Sequence, residues 1–138
     1  MSTDPHVDED SPVNISKFAS SVLGAQLCDI IWRYEKDMTR IHNQKYVAVR
    51  TRQQIIKNGI LKTIRSTVSR RPTQGFKWMI AKGRPQDTYE WIALTDPRFK
   101  SVWEKAAMRL ISYGVRGFPG YDRSLEQRSA GRPPRLAA

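Results

Sequence analysis

The chain has 138 residues, 39% of them hydrophobic and 9% aromatic, with a formal net charge of +11. That length suits one folded domain, and the apolar content excludes a wholly disordered basic tail. Cys28 alone excludes an internal disulfide, His6 and His42 are too few for a zinc cluster, and no apolar run of 18 residues is present to span a membrane.

Residues 1–13 carry four acids, Asp4, Asp8, Glu9 and Asp10, with two prolines and almost nothing apolar. They cannot bury enough surface to offset their ordering entropy, and are expected as a disordered acidic arm. Their acidity is the opposite of a signal or transit peptide, so the expected location is cytoplasmic, nucleoid or nuclear, or virion-interior, and not secreted.

From Asn14-Ile15-Ser16 onward, Leu23, Leu27, Ile30, Tyr34, Met38 and Ile41 recur at spacings of three and four, flanked by Ile15, Phe18 and Val22. This predicts an amphipathic helix over about 15–42. The same spacing approaches a coiled-coil seam, so a homodimer or higher homo-oligomer is expected through this helix. Lys45 to Val49 reads as an extended link.

From Arg50 to Arg71 the helical period returns, with Ile56, Ile60, Leu61, Ile64 and Val68 on one side. Arg52, Lys62, Arg65 and Arg70 fall on the opposite arc, with Ser66 between them. Asn58-Gly59 interrupts the period and favours two short helices, a helix-turn-helix arrangement, over one helix that tolerates a glycine. Pro72 ends the second helix.

Phe76, Trp78 and Ile80 alternate, then Lys82 to Asp87 is turn-rich, then Tyr89, Trp91 and Ala93 alternate. That pattern predicts a β-hairpin, although Asp87-x-x-Glu90 also fits a helix capping box. Asp96-Pro97 opens a last helix with Phe99, Val102, Trp103, Ala106, Leu110 and Tyr113 on one face, ended by Gly114. Residues 114–138, rich in Gly, Pro, Arg and Ser, are expected as a flexible tail. The expected fold is thus mainly α with one small β-hairpin, a winged-helix-like domain over 14–113 with disordered arms.

The charge is the strongest functional signal. Between Gln44 and Gln86 there are eleven Lys or Arg residues and no Asp or Glu. A one-sign field repels itself, so such a block calls for a polyanion, most commonly phosphate backbone. The candidate nucleic-acid-binding residues are Arg50, Arg52, Lys57, Lys62, Arg65, Arg70, Arg71, Lys77, Lys82 and Arg84. In the favoured reading the chain is a small DNA-binding regulator, with RNA as the second choice of partner. Ile60 to Arg71 would be the recognition helix, presenting Lys62, Thr63, Arg65, Ser66 and Arg70, and Lys82-Gly83-Arg84 the wing. Trp78, Tyr89 and Trp91 offer a weaker alternative, stacking on unpaired bases.

No catalytic residue, metal or cofactor is expected, and the chain is not read as an enzyme. His42 has no acidic partner at a telling spacing, and Cys28 sits among apolar neighbours as a small hydrophobe. The glycine-rich run Gly114 to Gly120 follows a helix, where a phosphate loop would lead from a strand into one. Membrane-surface binding is not favoured either, because the apolar positions of the basic helix are needed for the core.

The alternative function is structural, a coat or nucleocapsid-like subunit that packages nucleic acid. Thr95-Asp96-Pro97, and the run from Arg116-Gly117 to Tyr121-Asp122-Arg123-Ser124, resemble short motifs of the coat proteins of rod-shaped plant viruses. The resemblance implies a subunit that self-assembles on a genome. The interval between the two motifs is too short to hold the helix pair that such a coat requires.

Overall fold

The computed structural model describes residues 13–130 and holds seven α-helices and no strand among them. The chain divides into two compact units, the first ending at Thr63 and the second beginning at Ile64. The expected acidic arm, residues 1–13, lies outside the described residues except for Val13.

The first unit starts with a 3₁₀ turn, Ser16–Ser20, and then α1, Val22–His42. The continuous helix expected from residue 15 is broken at Ser21, whose backbone is extended at φ −100°, ψ 159°. Serine prefers a cap to a helix interior, and here its hydroxyl accepts the Gly24 N–H at 2.9 Å. The 3₁₀ turn folds directly over Gly24. A Cβ at that position would lie 1.7 Å from the Phe18 carbonyl oxygen. Gly24→Ala is therefore expected to destabilise by about 1–3 kcal/mol or more through overpacking against backbone. Thermal denaturation checks this against Gln26→Ala, at an exposed position of the same helix, which should change stability by less than about 0.5 kcal/mol.

The apolar stripe of α1 buries Leu27, Cys28, Ile30, Ile31 and Met38, and Ile15 from the preceding segment is also fully buried. Cys28 behaves as the small hydrophobe its neighbours imply, with its thiol donating weakly to the Ile15 carbonyl at 3.5 Å. Asn43, in the left-handed region at φ 53°, ends the helix.

After the link comes α2, Val49–Asn58, then α3, Ile60–Ser69. They are separate helices, as Asn58-Gly59 indicated. Gly59 takes φ 82°, and its N–H still donates to Ile55 O at 2.8 Å.

The second unit holds the C-terminal part of α3, α4 (Gln74–Ala81), a 3₁₀ turn (Pro85–Asp87) and α5 (Tyr89–Leu94). It continues with a 3₁₀ stretch over Pro97–Val102, α6 (Trp103–Ser112) and α7 (Arg123–Ala130). The expected β-hairpin over 75–95 is absent, and with it the wing and the winged-helix layout. Two threonines overturn it. The Thr73 hydroxyl accepts the Phe76 N–H at 3.0 Å, and the Thr88 hydroxyl accepts the Trp91 N–H at 3.1 Å. Each caps a helix inside what alternation presented as a strand. The buried pair of α4 is Phe76 and Met79, at helical spacing, while Trp78 is half-buried.

Asp96 caps the next segment, accepting the Arg98 N–H at 2.9 Å, with Pro97 at the first position. The segment begins as 3₁₀ turns, leaves helical geometry at Phe99 (φ −103°, ψ 17°) and becomes α-helical at Trp103. Phe76, Ala107, Leu110, Ile111 and Phe118 form the core of this unit, with Trp91, Leu94, Val115 and Leu125 packed against it. Phe118 comes from the expected flexible tail, whose described part instead folds back on α6. Gly117 and Gly120, at φ 76° and 80°, supply the left-handed turns on either side of Phe118.

Candidate nucleic-acid interface

Outside the acid-free stretch, carboxylates and cations sit together. In the first unit Asp29 pairs with Arg33 at 3.0 Å and Asp37 with Arg40 at 3.3 Å. In the second, Asp96 pairs with Arg98 at 2.7 Å, Glu90 with Arg109 at 2.5 Å, and Glu126 with Arg116. The Arg98 hydrogen bond holds the Asp96 carboxyl below its ordinary value, and Tyr121 together with Arg116 does the same for Glu126.

The stretch itself is different. In the first unit the side chains of Lys45, Arg50, Lys57 and Lys62 are exposed, and none has a carboxylate partner among the described residues. In the second unit the same holds for Arg65, Arg70, Arg71, Lys77 and Lys82. Some make other contacts. Arg65 donates to the Arg98 carbonyl at 3.3 Å, and the Lys82 ammonium lies 4.7 Å from the centre of the Trp78 ring. Arg84 is half-buried and faces Asp87 at 3.2 Å, so its charge is largely answered within the unit.

Arg52 does not belong on the surface. It is 1% exposed and donates from Nε to Glu35 Oε2 at 2.7 Å and from Nη2 to Glu35 Oε1 at 2.5 Å. Its third arm donates to the Val13 carbonyl at 3.2 Å, and Glu35, fully buried, also accepts the Ala48 N–H at 2.8 Å. A fork whose three nitrogens all bond inside the unit, on a residue 1% exposed, cannot reach a phosphate. The sequence placed Arg52 on the arc of Lys62, Arg65 and Arg70 by running one helical phase from Arg50 to Arg71. Gly59 resets that phase, and within α2 Arg52 shares the buried side with Ile55, three residues on.

Thr63, expected to face a groove, is 2% exposed and donates to the Gln54 carbonyl at 3.1 Å. The aromatic stacking platforms are also engaged. Trp91 packs on the core of its unit, and Lys82 covers a face of Trp78.

The residues that sequence reasoning missed surround the end of α3. α6 buries Ala106, Ala107, Leu110 and Ile111, and carries Lys105 and Arg109 one turn apart on another side. Lys105 Nζ donates to the Ser69 carbonyl at 2.5 Å, and Arg109 Nη2 donates to the Arg70 carbonyl. These are carbonyls at the negative end of a helix, which has no intrahelical donors left for them. Arg109 Nη1 donates to Glu90 Oε2 at 2.5 Å, and Glu90 is 2% exposed. Burial pushes the Glu90 carboxyl up from its ordinary value, against the pull of Arg109.

Among the described residues no group of three or more His, Cys, Asp or Glu could hold a metal ion, and no helix is long and apolar enough to cross a membrane. No protein-family model matches the chain, and no curated protein or solved structure is significantly similar to it.

Proposed function

We propose that this protein binds nucleic acid through the phosphate backbone, using the exposed cations of residues 45–82. One contrast carries the reading. Asp29, Asp37, Glu90, Asp96 and Glu126 pair with cations outside the acid-free stretch and Glu35 and Asp87 with Arg52 and Arg84, while nine Lys and Arg side chains of the stretch are exposed with no carboxylate partner among the described residues. Like charges held at a folded surface cost stability, and a ligand with regularly spaced negative charges removes that cost.

The duplex-DNA regulator built on a wing has lost its hairpin and its groove-facing Thr63, so the proposal rests on phosphates and not on base edges. Phosphate contacts set affinity and carry no sequence information directly. Backbone binding with little sequence preference is accordingly expected, which also suits the packaging role set against the regulator. Titration against duplex DNA, single-stranded DNA and RNA of matched length tests the proposal. Binding to at least one of them that weakens steeply with salt is the expected result. Binding that rises cooperatively with strand length assigns the packaging role, and preference for one duplex sequence by several kcal/mol assigns the regulator. No binding to any of the three overturns the proposal.

A further inference from the structure

Arg109 already has a carboxylate, yet it spends a second arm on a backbone carbonyl. Glu90 alone would satisfy its charge. Instead the guanidinium bridges Glu90 Oε2 and the Arg70 carbonyl, while Lys105, one turn earlier on α6, takes the Ser69 carbonyl. The two carbonyls are consecutive, and the side chains that follow them, Arg70 and Arg71, are exposed cations of the proposed interface.

From this geometry we infer that Arg109, oriented by Glu90 and assisted by Lys105, is a positioning residue that fixes the Arg70-Arg71 pair to engage two phosphates of a nucleic-acid strand. The inference rests on the phosphate-binding reading above.

The physical need is clear from the chain. Arg70 and Arg71 follow the last residue of α3 and precede Pro72, which cannot continue a helix. A helix end of this kind frays, and an arginine on a frayed backbone must lose that freedom when it binds. Anchoring the carbonyls of Ser69 and Arg70 removes the freedom in advance. It also places two further cations beside a region that is already positive. Buried Glu90 offsets one of them, so Arg109 serves as an anchor without adding its full charge to the surface. An arginine fork suits the task because its nitrogens diverge at fixed angles toward two acceptors, which the point charge of a lysine does not reproduce.

Arg109→Lys tests this, since it keeps the charge and the partner Glu90 but loses the rigid second arm. The measurement is the slope of log binding constant against log salt on duplex DNA, taken well below the melting temperature with helicity checked by circular dichroism. Loss of two phosphate contacts should make the slope shallower by about 1.8, at roughly 0.9 per phosphate. Arg70→Gln/Arg71→Gln should produce the same change, and adding Arg109→Lys to that pair should change the slope no further. A residue with only a structural role would lower the melting temperature and leave the slope alone. If Arg109→Lys does not fold, Glu90→Asp, which keeps the countercharge but draws Arg109 back from the Arg70 carbonyl, is expected to show the same shallower slope. A wild-type slope in the folded variant, or effects that add in the triple variant, overturns this inference while the phosphate-binding reading stands. Absence of binding by the wild type overturns both.

Discussion

Replacing Arg52 with glutamine is expected to lower the unfolding free energy by about 3–5 kcal/mol, the usual loss when one partner of a buried ion pair is removed. The cause lies in what stays behind. Glu35 is fully buried and takes two hydrogen bonds from the Arg52 fork. Without the guanidinium its carboxylate loses both of those charged hydrogen bonds in an interior that solvates charge poorly. The pair also ties α1 to α2 and to the Val13 carbonyl, so the loss spreads to three segments. Glu35→Gln/Arg52→Gln should cost clearly less than the sum of the single changes, because the double variant strands no charge. Urea denaturation measures all three, and additive losses would show that the pair is not the unit of stability. The folded fraction of Arg52→Gln should keep the wild-type salt slope, since Arg52 is not part of the proposed interface.

The second large effect is on binding. Arg65 and Arg70 are exposed in the second unit, and neither has a carboxylate partner among the described residues. Arg65→Glu/Arg70→Glu removes two cations and sets two carboxylates against the ligand's phosphates. Juxtaposed like charges cost several kcal/mol, so affinity should fall on the order of 10²-fold or more at low salt. Stability should fall by only about 0.5–2 kcal/mol, through the lost Arg65 hydrogen bond to the Arg98 carbonyl and a carboxylate set at the negative end of α3. An electrophoretic mobility or anisotropy titration reads the first and a melting curve the second. Unaltered affinity in the folded double variant would remove the second unit's arginines from the interface.

The helices were legible where their apolar period was long or their punctuation strong. Leu27, Ile30 and Met38 of α1, the break at Gly59 and the Asp96-Pro97 cap all read correctly from single residues with a mechanism. Residues 75–95 failed because eight- and six-residue helices are too short for the 3.6 period to outweigh alternation of Phe76, Trp78 and Ile80. The deciding signals were Thr73 and Thr88, two caps overlooked beside the louder Asp87-x-x-Glu90. Phe118 was lost inside a Gly- and Pro-rich composition that resembles a disordered tail, although its glycines build the turns that bury it.

At the candidate interface, position in the sequence located the acid-free block but could not sort its members. Arg52 and Glu35 lie 17 residues apart on different helices, and no local spacing announces their pairing. Arg109 and Glu90 lie 19 apart, outside the block altogether, and only the packing of the second unit brings them to the Arg70 carbonyl. Charge was readable from composition, and burial had to come from the fold.

The most direct test of the central claim is the salt dependence of wild-type binding to duplex DNA between about 50 and 200 mM. With five or six of the nine exposed cations on phosphates, the slope of log binding constant against log salt should lie near −5, at roughly −0.9 per contact. A slope close to zero, with binding intact, would mean that counterions are not released and that these cations do not meet a phosphate backbone.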